Sequence, residues 1–115
     1  MFHEMDHDRL SRLVDAEATA AWRWEKADQF PEDHRNRKAA ELLDRLAPEI
    51  AALHGSPLHL RLETFIDEEA FSFEISARLR AIGFGYFPQS GQQLLQDIVV
   101  DLECRYPSRP PLRII

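Results

Sequence analysis

The sequence predicts a mainly α, single domain of four to five helices that begins with a long antiparallel helical hairpin. Three observations carry this expectation. Residues 6–28 contain no Gly or Pro, and Leu13, Ala16, Ala20, Trp24 and Ala27 recur at steps of three and four. Residues 33–54 repeat the pattern through Ala39, Leu43, Leu46, Ile50 and Leu53. Ser90 followed by Gln93, ahead of Leu94, Leu95, Ile98, Val99 and Leu102, reads as a capping box opening an amphipathic helix.

In the first segment, Asp6 and Asp8 lie where carboxylates favour the positive end of a helix dipole. The turn at Phe30-Pro31 leads into the second segment, where Glu41 and Arg45 form a well-oriented i,i+4 pair. Pro48 removes a backbone donor there. The stripe keeps its phase across it, so the expectation is a kinked helix rather than two.

Residues 57–82 fit two templates. Leu58, Leu60 and Leu62, then Phe71, Phe73 and Ile75, alternate with polar residues as strands do. The alternative fold is therefore α+β, two N-terminal helices followed by a three-stranded antiparallel sheet, with a third strand over Ile98 to Tyr106. Termination signals favour helices over 57–66 and 68–82. Ser56-Pro57 is an N-cap with Pro at the first helical position, Asp67-Glu68-Glu69 starts the next helix, and Gly83 follows the Arg78/Arg80 turn as a C-terminal glycine should. Asp67-Glu68-Glu69 also lacks the glycine or asparagine of a tight hairpin.

Between Gly83 and Gly91 lie Phe84, Tyr86, Phe87 and Pro88. Their gain on leaving water predicts an aromatic plug over the flanking helices, with Gly83 at positive φ and Ser90 capping the next helix. Residues 1–5 are expected to be frayed, and residues 107–115 to form an extended Pro-rich tail.

Composition bounds function. The net charge is −6, from 20 acids and 14 bases, which opposes nucleic-acid binding by phosphate neutralisation. No apolar run is long enough to span a membrane. The lone Cys104 allows no internal disulfide and points to a reducing cytoplasm; its expected state is a buried, inert thiol. Of the basic residues only Lys26 and Lys38 are lysines, a bias that suggests a GC-rich bacterial coding genome.

Candidate sites follow. His3, Glu4, His7 and Asp8 have helical metal-ligand spacing, but at a chain end they read first as a solvated terminus. The free amides after Ser90 offer an anion site. Trp22 and Trp24 project about 160° apart on a helix, so one is left either for a partner or for another helix or the tail to cover. The candidate partner-binding residues are Trp22, Trp24, Phe84, Tyr86 and Phe87. No catalytic, cofactor-binding or metal residue is assigned. The expected function is a non-enzymatic protein-interaction or regulatory module, monomeric or homodimeric, with another protein as partner. The alternative is a small-ligand or metal-binding domain using the 83–91 loop or the N-terminal His cluster.

Tyr106-Pro107-Ser108-Arg109-Pro110-Pro111 resembles the Tyr-Pro-x-x-Pro-Pro turn of ubiquitin-conjugating enzymes and their RWD relatives. The resemblance implies a degenerate member of that family, with a strand over Ile98 to Tyr106. The family's catalytic cysteine lies well downstream of the motif. Cys104 precedes it, so no catalytic role carries over.

Overall fold

The structure is a computed structural model that describes residues 10–65 and 69–106. It is mainly helical, with five named helices and no strand among the described residues. They are α1 (Ala16–Gln29), α2 (His34–Ala51), α3 (Pro57–Glu63), α4 (Glu69–Ala81) and α5 (Gly91–Arg105). The helix expected over 6–28 is not continuous. Residues 10–13 are helical, the chain bends at Val14, and Asp15 caps a new start by accepting from the Ala18 amide at 2.9 Å. Serving as a cap suits Asp better than a helix interior does, because its short side chain competes for backbone amides. The bend turns Leu10 and Val14 into the core, where both are buried.

Cap chemistry sets the other boundaries. Asp33 opens α2, Ser56 accepts from His59 N to open α3, and Ser90 accepts from Gln93 N to open α5. Helix α2 runs through Pro48 and ends one turn later at Ala51. Arg45 reaches forward to Glu49 at 3.4 Å, in place of the expected Glu41 partner.

Three-stranded pairing is excluded by residues that period two would group together. Phe71 and Ile75 are buried in α4, while Phe73 between them is 76% exposed. The segment from Ile98 to Tyr106, which the ubiquitin-conjugating resemblance makes a strand, is the second half of α5 and its C-cap. Residues 107–111 of that motif, the 1–5 terminus and the 107–115 tail lie outside the described residues, as do 66–68 of the expected α4 start.

The core is built by one face from each helix. α1 and α2 make the most extensive contact; α2 and α3 pack on α5, and α4 touches both α1 and α5. Leu43, Leu46 and Ile50 of α2 meet Leu94, Leu95, Ile98 and Val99 of α5 in one buried cluster. Burying each such side chain contributes roughly 1.5–3 kcal/mol. Phe71 joins the elements at the far end. Its ring lies edge-on to Phe65 at 4.7 Å and to Tyr106 at 4.6 Å, a favoured aromatic geometry.

Two glycines set the closest approaches. At Gly91 an added Cβ would lie 2.8 Å from the Ile50 amide, so α5 starts against the end of α2. Gly83 has φ +84°, as expected of a helix-ending glycine, and an added Cβ would lie 2.5 Å from Ala39 Cβ. Gly83→Ala therefore combines a left-handed backbone, costing about 1–2 kcal/mol, with overpacking, costing about 1–3 kcal/mol. Denaturant unfolding should show a loss near the sum. Gly85→Ala has positive φ but open space and should lose only the backbone part. Equal losses would remove the Ala39 contact from the account.

Candidate functional site

The site centres on Arg23, a residue the sequence reading passes over. The expected stripe on α1 includes Trp24, but the buried face is Ala16, Ala20 and Arg23, and Trp24 stands 37% exposed. Only 8% of Arg23 is exposed. Its Nη1 donates to Asn36 Oδ1 of α2 at 3.0 Å, and its Nη2 donates to the Arg80 carbonyl at 2.6 Å. That carbonyl lies in the last turn of α4, where carbonyls lack helical partners and the dipole favours a cation. Arg23 thus closes the end of α4 from α1. Its Nε is buried without a hydrogen-bond partner.

Aromatic rings cover the flat faces of the guanidinium. Arg23 Cζ lies 4.3 Å from the Trp22 ring centre and 4.0 Å from that of Phe84. Arg80 lies over Trp22 at 5.4 Å, and Arg35 over Phe84 at 4.6 Å. The result is a ladder in which Arg80, Trp22, Arg23, Phe84 and Arg35 alternate cation and ring. Burial, with help from the Arg80 and Arg35 charges, pushes the Arg23 pKa down, while Asp33 opposes this. Asp33 is itself committed to Arg35, which donates to it from Nε at 2.9 Å and from Nη2 at 2.8 Å.

A groove of about 340 Å³ runs between α1 and α4 beside this ladder. Trp22 and Leu79 supply apolar wall, Arg12 and Arg80 supply charge, and Ser72 and Ser76 supply hydroxyls. Among the described side chains of α4 the exposed ones are Ser72, Ser76 and Arg80, which line the groove, and Phe73 and Ala77, which lie outside it. None of these described side chains is an acid, in a protein with 20 of them.

The structure brings two of the five candidate residues together. Trp22 and Phe84 meet through Arg23. Trp24 faces a separate groove with Pro31 and His34, and its Nε1 donates to Asp44 at 3.0 Å. Tyr86 packs on the core and donates its hydroxyl to Asp97 at 2.6 Å. Burial and that carboxylate push the Tyr86 pKa up. Phe87 is 66% exposed and takes no part in the expected aromatic plug, which reduces to Phe84 on Arg23 and Tyr86 on the core. Hydrogen bonds also shape the loop: Gly83 N donates to Tyr86 O, and Phe84 N to Ala81 O, both at 2.8 Å.

Two of the amides proposed as an anion site are already bonded. Gly91 N donates to Glu49 Oε1 at 2.7 Å and Gln93 N to Ser90 Oγ at 3.0 Å. The His3, Glu4, His7 and Asp8 cluster lies outside the described residues. Among the described residues no group of three or more His, Cys, Asp or Glu is placed to hold a metal ion, and no helix is long and apolar enough to cross a membrane. Cys104 is exposed rather than buried. It falls about 160° round the helix from Leu102, off the apolar stripe.

Comparison of the chain with family models, curated proteins and solved structures gives no match.

Two outcomes test this geometry. Arg23→Ala leaves Asn36 and the Arg80 carbonyl without their donor and should lower stability by on the order of 3 kcal/mol. Arg23→Lys should not restore it, because a lysine cannot donate in two fixed directions while stacking between rings. Full rescue by Lys in equilibrium unfolding would show that charge alone suffices.

The second concerns Asp33, whose pKa is held down to about 2 from its ordinary 3.8, chiefly by the Arg35 side-chain hydrogen bonds. A depressed carboxylate contributes stability above its unfolded pKa and loses it as pH falls through the folded one. The melting temperature should therefore carry an Asp33 contribution above about pH 4 that fades toward pH 2. Asp33→Asn keeps a good N-cap, so its difference from wild type should shrink over that window. A constant difference would dissociate Asp33 from acid sensitivity.

Proposed function

We propose that this chain is a non-enzymatic protein-interaction or regulatory module whose docking face is the outer side of α4 with the adjoining α1–α4 groove. One observation carries the reading: Phe73 is 76% exposed on α4, and none of the exposed side chains described on that helix is an acid. An isolated exposed apolar residue is ordinary on a protein surface. Phe73 differs because Ala77 follows it one turn on and the Trp22-walled groove adjoins the same helix. A large ring beside a pocket is the arrangement that interface hot spots use, since the ring gains most when a partner excludes water around it.

The reading predicts a separation of stability from binding. A photo-crosslinking amino acid at position 73, expressed in the native host, should capture one defined protein that the same label at Leu60 on α3 does not. With that protein purified, Phe73→Asp should weaken binding at least tenfold while moving stability by no more than about 0.5 kcal/mol, as exposed substitutions do. Unchanged affinity in Phe73→Asp would overturn the reading.

A further inference from the structure

We infer that the segment docking in the α1–α4 groove is an acidic peptide, with a carboxylate set on Arg80 and an adjacent apolar side chain against Trp22. This rests on the interaction reading above and adds the chemistry of the partner.

Charge complementarity is the argument. The chain is acidic overall, yet three guanidinium groups, of Arg80, Arg23 and Arg35, are drawn into one ladder by two aromatic rings. Within the ladder Asp33 is the nearby counter-charge, and both its oxygens are taken by Arg35. Among the described residues no carboxylate forms an ion pair with Arg80. The acid lining the groove, Asp15, caps α1, where the helix N-terminus offsets its charge. Arg80 is therefore left as positive charge on the groove beside an indole wall. A fork of guanidinium donors suits a planar carboxylate. Burial and like-charge neighbours lower the Arg23 pKa, consistent with positive charge that the protein itself leaves under-compensated.

Size and setting select the peptide among anions. A space of about 340 Å³ accepts a few side chains and not a folded surface. The exposed Phe73 lies on the same helix, so a segment crossing the groove can continue over it. A nucleic acid would bring its phosphates against a surface of net charge −6, which repels them outside the groove.

Selection from a random dodecapeptide display library on the full chain tests this, followed by fluorescence polarisation with the enriched peptides. The expected peptides are net acidic, with Asp or Glu next to Leu, Phe or Trp. Their affinity should fall at least tenfold in Arg80→Glu and less in Arg80→Gln. It should fall likewise when the peptide acids become amides, and weaken as salt is raised. Melting curves confirm that the Arg80 variants are folded; substituting this side chain leaves the Arg80 carbonyl to Arg23. Neutral or basic peptides, or affinity indifferent to Arg80 but lost in Phe73→Asp, would overturn the acidic assignment and leave the docking face standing. Peptides indifferent to both positions, or no enriched peptide at all, would overturn both. Equal competition by a single-stranded oligonucleotide would replace the peptide with a nucleic acid.

Discussion

A guanidinium taken out of water loses several kcal/mol of hydration, and Arg23 keeps its charge inside only because three separate elements supply what the water did. Asn36 provides an acceptor from α2, the Arg80 carbonyl provides one from the end of α4, and Trp22 and Phe84 cover the two faces. None of these partners can shift without exposing the others' unmet needs. Arg23 consequently fixes where α4 ends relative to α1 and α2. The width of the α1–α4 groove follows from that single desolvated charge.

The opposite end of the molecule is tied by a different means. Glu49 lies just after Pro48 in the last turns of α2. Its carboxylate accepts the Gly91 amide at the start of α5. Gly91 has no side chain to hold the two helix ends apart. Arg45 adds a bond to the Gln89 carbonyl at 3.1 Å. The 83–90 connection is thus held at both ends by α2, through Ala39 and through Glu49. It needs no buried aromatic plug to keep its shape.

Helix boundaries were legible at Ser56, Ser90 and Gly83, which behave as their side chains or their lack of one dictate. The choice between helix and strand for 57–82 was also legible, through punctuation rather than periodicity. Phe73 shows why periodicity failed there. It fits the alternating strand template but lies off the helical stripe of Phe71, Ile75, Leu79 and Ile82, and in the fold those four are buried while it faces outward. The bend at Asp15 was hidden because its residue can serve equally as a helical surface position. The Arg23 ladder was hidden for a deeper reason. An arginine on an alanine-lined face looks like a solvated edge until residues 13 and 57 positions away place their oxygens beside it. Of the candidate residues, Trp22 and Phe84 were found by ring size alone, with no sign that a cation lay between them.

Both indoles of the protein lie on α1, separated by one residue, and each lines a different groove. Trp22 is stacked with cations, whereas Trp24 donates to a carboxylate. Ultraviolet emission from this chain therefore originates in one helix and two unlike electrostatic surroundings. A ligand entering the α1–α4 groove would alter the colour and yield of one emitter and leave the other as an internal reference, with no label attached.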